Sequence, residues 1–162
     1  MLFRSNDGSI SLADMNGWIF KQGDDLAWAE KDINTTGWEK TRPTQLSDEM
    51  VDKNGKLEGW FRIKIKLDTS FKDVPLDLDM EVWGASEIYA DGKLLTAFGS
   101  TGANGKPFKE HEYKADFPVP FTIERGNEHI LAIHYVDFLS PLPPGHLKSK
   151  HDLPYFLVIM YA

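Results

Sequence analysis

Residues 59–67 read Gly59-Trp60-Phe61-Arg62-Ile63-Lys64-Ile65-Lys66-Leu67 and alternate between two kinds of side chain. The odd positions from 61 onward are all apolar, whereas the even positions carry a tryptophan, an arginine and two lysines. Side chains of a β-strand point to the two faces of a sheet in turn, so this period of two predicts a strand with one face in a core. The other face, which carries Trp60 and Arg62, is expected to meet solvent.

A tight turn is predicted at Asp91-Gly92, between runs with strand character at 86–90 and 93–98. A type I′ turn needs a positive φ at both central residues, which aspartate tolerates and glycine adopts freely. The pair therefore predicts an antiparallel hairpin.

Nine segments have strand character, and turn signals rather than long amphipathic segments separate them. Many short strands at fairly even spacing favour an all-β antiparallel sandwich of the jelly-roll type. Helix is expected in short turns near 24–30 and 46–51, the second with Ser47 as its cap. The predicted strands cover residues 17–21, 38–41, 59–67, 76–83, 86–90, 93–98, 117–124, 129–138 and 155–161.

The length of 162 residues fits a single domain with its own hydrophobic core. Residues 1–16 are interpreted as an N-terminal extension. Residues 140–154 contain four prolines, which cannot pair extensively inside a sheet, so a long surface loop is expected there.

Composition excludes several function classes. The net charge of -7 opposes binding to phosphate backbones, so no nucleic-acid partner is expected. The absence of cysteine excludes a thiol nucleophile, a thiolate metal site and a disulfide. No run approaches the roughly 20 apolar residues that span a bilayer, so contact with a membrane is expected only through other segments of a parent protein.

Several aromatic and glycine-containing motifs follow one another in a fixed order. They are Trp18-x-Phe20-x-x-Gly23-Asp24, Trp28, Gly37-Trp38, Gly59-Trp60-Phe61-Arg62, Tyr89-Ala90-Asp91-Gly92-Lys93, Phe98-Gly99 and the strand from His129 to His134. Their order resembles that of galactose-binding-like jelly-roll domains, which occur as sugar-binding domains of family 2 glycoside hydrolases and as extracytoplasmic sensor domains of bacterial two-component histidine kinases. The resemblance covers roughly residues 17–136. It departs from the usual pattern at Asp91, where asparagine is common, and at His134, where arginine is frequent.

The resemblance implies a noncatalytic ligand-recognition domain. Our leading hypothesis is the extracytoplasmic sensor of a membrane-bound histidine kinase, periplasmic or at the cell surface, which binds a small molecule or carbohydrate and forms a homodimer. The alternative is an accessory carbohydrate-binding domain of a family 2 glycoside hydrolase. A third hypothesis is a structural interaction domain. A membrane region or kinase domain downstream of residue 162 would favour the first hypothesis, and a barrel with paired glutamates the second.

Candidate ligand contacts lie on the polar faces of two predicted strands. Trp60 and Arg62 share one face of their strand, and Glu81 and Trp83 share one face of another. If both faces line the same side of the sandwich, indole rings and charged groups offer the kind of surface that binds a sugar. The competing interpretation is an ion pair between Arg62 and Glu81, with both indoles covered by a loop. The predicted ligand-binding residues are Trp60, Arg62, Glu81, Trp83 and His134, with loops 99–106 and 140–154 as rims.

Other chemistry finds little support in the sequence. The glycine-rich residues 99–106 lack the spacing of a phosphate-binding loop, and the five histidines lack the spacing of a zinc protease or zinc finger. No serine lies in a nucleophile elbow and no carboxylates are marked as a catalytic pair, so an enzyme is not expected. No cofactor is predicted, apart from a structural calcium ion that Asp24, Asp25 and Asp32 could hold.

Overall fold

The computed structural model describes residues 2–3, 9–13, 15–69, 76–81, 84–111, 119–138 and 157–161. For residues 2–3, 9–11, 79–81 and 157–161 it describes the backbone alone. Ten strands run through this part of the chain, and they form two sheets. The strands are β1 (Leu2–Phe3), β2 (Ser9–Ser11), β3 (Ile19–Gln22), β4 (Lys56–Leu67), β5 (Leu76–Glu81), β6 (Ala85–Ala90), β7 (Lys93–Phe98), β8 (Val119–Phe121), β9 (Glu128–Phe138) and β10 (Leu157–Tyr161).

The larger sheet has six strands in the order β1-β4-β9-β6-β7, with β3 also paired to β4. The smaller sheet has four strands in the order β2-β10-β5-β8. All neighbouring strands are antiparallel except β1 and β4, which are parallel. The predicted all-β sandwich is confirmed.

The main core lies between the two sheets. The odd positions of β4, from Phe61 to Leu67, are buried there, as the alternation in 59–67 predicts. Leu76 and Leu78 of β5 are buried in the same core from the smaller sheet. Burial of apolar surface at about 25 cal/mol per Å² is the main force that holds the two sheets together.

A second core covers the outer face of the larger sheet. Trp60 of β4, Tyr89 of β6 and Ala132 of β9 pack there against Ala29 and Trp38. The last two belong to residues 24–38, which we call the cover segment. The expectation that Trp60 and Arg62 meet solvent is wrong, because this segment buries them to 0% and 3% exposure, respectively. The solvent-exposed part of this face of β4 begins only beyond the cover segment, at Lys64.

The hairpin prediction is confirmed. Ala90 pairs with Lys93, and both residues between them have positive φ, 47° at Asp91 and 83° at Gly92. These angles are those that a two-residue type I′ turn requires.

The described residues of the predicted N-terminal extension include two strands, one in each sheet. Strand β1 pairs with β4, β2 pairs with β10, and Leu12 is buried in the main core. A pattern of only two or three paired residues is too short to read from sequence, because periodicity needs a longer run.

The helical turns lie near the predicted places. Short 3₁₀ turns cover Leu26–Ala29 and Asp48–Met50, and others cover Pro43–Gln45 and Ala103–Gly105. Ser47 precedes the Asp48–Met50 turn, but its side chain makes no capping hydrogen bond. Within the ranges that the model describes, no helix has the length and apolar character needed to cross a bilayer.

Strand ends differ from the prediction at several places. Predicted strand 38–41 is reduced to one bridge between Glu39 and Phe20, and predicted strand 117–124 to Val119–Phe121 in the described residues. Loop 140–154 and Trp83 lie outside the described residues.

Candidate functional site

Three carboxylates and one histidine meet on the outer face of the larger sheet. His134 of β9 lies directly opposite Trp60 of β4 on one side and Glu87 of β6 on the other. Glu58 lies two residues before Trp60 and shares its face. Asp24 reaches the same place from the start of the cover segment. We call Asp24, Glu58, Glu87 and His134 the carboxylate-histidine cluster.

Both nitrogens of His134 face carboxylate oxygens. Its Nε2 lies 3.4 Å from Oε1 of Glu58 and 3.6 Å from Oδ1 of Asp24. Its Nδ1 lies 3.5 Å from Oε2 of Glu87. The imidazole is buried, with 2% of its side chain exposed, whereas 53% of the Asp24 side chain is exposed. The cluster is therefore a group of ionisable side chains in which the imidazole of His134 is buried and the carboxylate of Asp24 faces solvent.

Glu87 is held in place by two hydroxyl groups. The Tyr89 hydroxyl donates to Oε2 at 2.9 Å, and the Thr101 hydroxyl donates to Oε1 at 3.3 Å. The neighbouring His134 ring lowers the pKa of the Glu87 carboxyl below its ordinary value, although burial opposes the effect. Burial raises the pKa of the Tyr89 phenol, and its bond to Glu87 adds to that rise. Glu87 is thus kept as a carboxylate and Tyr89 as a donor.

Trp60 forms the wall beside the imidazole. The rings of Trp60 and His134 are stacked, with centroids 4.8 Å apart and 9° between their planes. Nε1 of Trp60 and Nε2 of His134 are buried and have no hydrogen-bond partner among the described residues. A buried polar atom without a partner costs about 1–3 kcal/mol, so both are unusual features of a native core.

Arg62, predicted as a ligand contact, forms hydrogen bonds to backbone carbonyls of the cover segment. Its guanidinium donates to the backbone carbonyls of Trp28, of Glu30 at 2.8 Å and of Lys31 at 3.1 Å. Burial lowers the pKa of this guanidinium, and the charge of Asp91 opposes that change. These hydrogen bonds attach the cover segment to the larger sheet. The Arg62 side chain is therefore buried under the segment and does not lie on a solvent-exposed surface.

The two polar strand faces lie on opposite sides of the sandwich. Strand β4 belongs to the larger sheet and β5, which contains Glu81, to the smaller. Leu76 and Leu78 of β5 face the core, so Asp77 faces away from it, just as Trp60 faces away from the core in the other sheet. The described residues Trp60 and Asp77 therefore do not share one surface, and the contribution of Glu81 and Trp83 to ligand binding stays a prediction. The Glu81 side chain and all of Trp83 lie outside what the model describes.

The structure brings Trp60 and His134 of the predicted site together with Asp24, which the sequence analysis considered for calcium, and with Glu58 and Glu87, which it missed. A signal for Glu58 was present, because the alternation of β4 places it on the face of Trp60. Glu87 could be found only with the register of β6 and β9. Thr101, in the predicted rim 99–106, is buried and bonded to Glu87.

The three aspartates considered for calcium do not form one ligand group in the described residues. Asp25 accepts a hydrogen bond from the Ala27 N–H at 3.0 Å and begins the Leu26–Ala29 turn. Asp24 instead meets Glu58 and His134, and one ligand atom from each of these residues lies within 4.8 Å of the others. Calcium binding itself stays a prediction.

Solved structures of other proteins contain a similar architecture. No protein-family model and no curated protein matches the chain. A β-glucuronidase from Bacteroides uniformis matches it with a TM-score of 0.59 and 15% identity. The chain has a jelly-roll fold. The match covers 94% of this chain but only 18% of the enzyme.

Two further solved structures agree. A family 2 glycosyl hydrolase from Bacteroides cellulosilyticus matches with a TM-score of 0.58 and 11% identity, over 95% of this chain and 20% of that one. A β-glucuronidase from an uncultured Clostridium species matches with a TM-score of 0.52 and 19% identity, over 99% of this chain and 30% of that one. The jelly-roll chain thus spans less than a third of each of these proteins, and at these identities the likeness concerns the fold.

Proposed function

We propose that this jelly-roll chain is an accessory, noncatalytic recognition domain of a glycoside hydrolase related to family 2. One observation carries the proposal: almost the whole chain aligns with a small part of each of several such enzymes, 18% of a β-glucuronidase in one case. In that β-glucuronidase the matched part is less than a fifth of the chain, so most of the enzyme lies outside it. We place this role ahead of the sensor role, because these matches support the alternative of the sequence analysis better than its leading hypothesis.

The proposed ligand is a carbohydrate. Sugar hydroxyls donate to carboxylates, and hydrogen bonds to ionised acceptors are about twice as strong as neutral ones. Asp24 is the accessible carboxylate of the cluster, and Glu58 lies behind it with 18% of its side chain exposed. Trp60 is covered and cannot stack on a sugar ring, so we assign recognition to the carboxylate rim of Asp24 and Glu58.

The first test concerns the native polypeptide. Its mass and the sequence of its transcript establish what accompanies the jelly-roll domain. We expect a glycosidase domain, and hydrolysis of aryl β-glucuronides or β-galactosides by the full-length protein. Deletion of residues 1–162 should lower activity on oligosaccharides more than on the aryl glycosides. A full-length protein with a kinase domain would overturn the proposal in favour of the sensor, which stays a prediction from the sequence resemblance.

The second test concerns the ligand. We expect calorimetric titration of the 162-residue chain with oligosaccharides, in excess chelator, to show binding. Asp24→Asn should weaken it about tenfold, the value of one charge-assisted hydrogen bond of about 1.4 kcal/mol. Asp32→Asn, which removes another exposed carboxylate of the cover segment, is the control and should leave affinity unchanged. Absence of binding to every saccharide would contradict the carbohydrate proposal.

A further inference from the structure

We propose that Asp24, Glu58 and His134 bind a divalent transition metal ion such as zinc. The inference uses the same carboxylates to which we assign sugar recognition, but it needs neither a saccharide nor a second domain, and the zinc titration tests it in the absence of any sugar. It begins with the positions of three potential ligands, Asp24, Glu58 and His134, each of which offers one ligand atom within 4.8 Å of the other two.

Two of the separations between these ligands fit a small tetrahedral ion. Zinc bonds to nitrogen and oxygen are about 2.0–2.2 Å long, so two ligands of a tetrahedral ion lie about 3.3–3.6 Å apart. Nε2 of His134 lies 3.4 Å from the Glu58 oxygen and 3.6 Å from the Asp24 oxygen. Both separations match the edges of such a tetrahedron.

The buried imidazole nitrogen is a second, independent observation. Nε2 of His134 is buried and has no hydrogen-bond partner among the described residues, yet it lies within 3.6 Å of one oxygen of each of two carboxylates. A neutral imidazole nitrogen offers a lone pair, which a metal ion uses as directly as a proton would. An ion at this place would give the orphaned nitrogen the partner that it lacks.

The other nitrogen of His134 has the partner that metal-bound histidines need. Ligating histidines almost always present their second ring nitrogen to a carboxylate, a carbonyl or water, which sets the tautomer and the ring orientation. Nδ1 of His134 lies 3.5 Å from Glu87, and the hydroxyls of Tyr89 and Thr101 hold that carboxylate. Glu87 is thus a positioning residue for the proposed ligand His134.

The donor set selects the type of ion. Calcium takes six to eight oxygen ligands, whereas imidazole suits zinc and its neighbours in the first transition row. Two carboxylates and one neutral imidazole give a net charge of -2 that a divalent ion balances. The exposed side of Asp24 leaves room for water as a fourth ligand, as in zinc sites with three protein ligands.

The ion would join three elements of the fold. Glu58 lies on β4, His134 on β9 and Asp24 at the start of the cover segment. Binding to the folded state alone raises stability by mass action, so zinc should also raise the melting temperature.

The experiment measures zinc binding to the metal-free 162-residue chain by equilibrium dialysis with elemental analysis and by calorimetry. We expect one zinc per chain. Asp24→Asn and Glu58→Gln should each weaken binding about tenfold or more, and Glu87→Gln about 10- to 100-fold through the orientation of His134. Asp32→Asn is the matched control and should bind like the wild type, and circular dichroism checks that each variant is folded.

Cobalt(II) provides a spectroscopic readout. The wild type should give the visible bands of a tetrahedral cobalt ion, and Asp24→Asn should lose them. Asp24 is largely exposed, so this variant should remain folded even if Glu58→Gln does not. The proposal is overturned if the wild type takes up no stoichiometric zinc, which would make the cluster a metal-free ion-pair network. Binding that Asp24→Asn leaves unchanged would overturn it equally.

Discussion

Asp91 and His129 are joined by a 2.6 Å contact between Oδ2 and Nδ1, which ties the hairpin turn to the beginning of β9. The other oxygen of Asp91 accepts the N–H of Ile130 at 2.8 Å. The second nitrogen of His129 lies 2.8 Å from the carbonyl oxygen of Glu124 and donates to it. One turn residue therefore organises the start of β9, the strand that carries His134.

Acid should weaken the fold through Asp91. Burial raises the pKa of Asp91, but the hydrogen bonds from Ile130 and His129 outweigh it, so the folded pKa lies below the ordinary value. A depressed pKa means that the stabilisation is complete above the unfolded value of about 3.9 and is lost as pH falls through the folded pKa. Asp91→Asn keeps the turn but removes the charge. In urea unfolding below about pH 4, its free energy of unfolding should depend less on pH than that of the wild type.

Asp32→Asn removes an exposed carboxylate and serves as the control for this prediction. An acid dependence of Asp91→Asn equal to that of the wild type would show that the carboxylate of the turn contributes nothing to it.

Loss of Arg62 should release the cover segment. Arg62→Met keeps an unbranched side-chain stem but removes the guanidinium that donates to the carbonyls of Trp28, Glu30 and Lys31. Hydrogen bonds to a charged group contribute about 1.5–3 kcal/mol, so unfolding free energy should fall by at least about 2 kcal/mol. Hydrogen exchange of residues 24–38 should become faster.

Lys64→Met is the matched control for Arg62→Met, because Lys64 lies two residues further along the same face and is exposed. Its effect should stay within about 0.5 kcal/mol. Equal effects of the two variants would contradict the anchoring role of Arg62.

Gly59 is required by the close approach of Phe20. A methyl group at Gly59 would collide with the Phe20 ring and lie 2.8 Å from the carbonyl oxygen of Lys21. Gly59→Ala should therefore lower the melting temperature and cost about 1–3 kcal/mol, as overpacking does in cores. The double variant with Phe20→Ala should show a favourable coupling in a double-mutant cycle, because the smaller side chain makes room. Strict additivity would show that the ring is not the obstacle.

The Tyr89 hydroxyl should contribute to stability through Glu87. Tyr89→Phe removes the donor at 2.9 Å from this half-buried carboxylate. A lost hydrogen bond to a charged acceptor costs about 1.5–3 kcal/mol, and the pKa of Glu87 should rise because that bond lowers it. Denaturant unfolding at pH 7 measures the first effect, and carboxyl NMR titration the second. An unchanged Glu87 titration would contradict this assignment.

Local patterns predicted a large share of the fold. The alternation in β4 and the pair Asp91-Gly92 depend on steric rules that act over a few residues, and the structure confirms both. The same alternation misassigned Trp60 and Arg62 to solvent, because it divides a strand into two faces without revealing what covers each face.

The sequence by itself determined the longer strands, the Asp91-Gly92 turn and the apolar side of β4, since these depend on neighbouring residues. Only the tertiary structure decided that the cover segment lies over Trp60 and that Asp24, Glu58, Glu87 and His134 meet. These four residues span more than a hundred positions of the chain, and their distances follow from strand register and sheet order. Register is a property of pairs of strands, so no single stretch of sequence contains it.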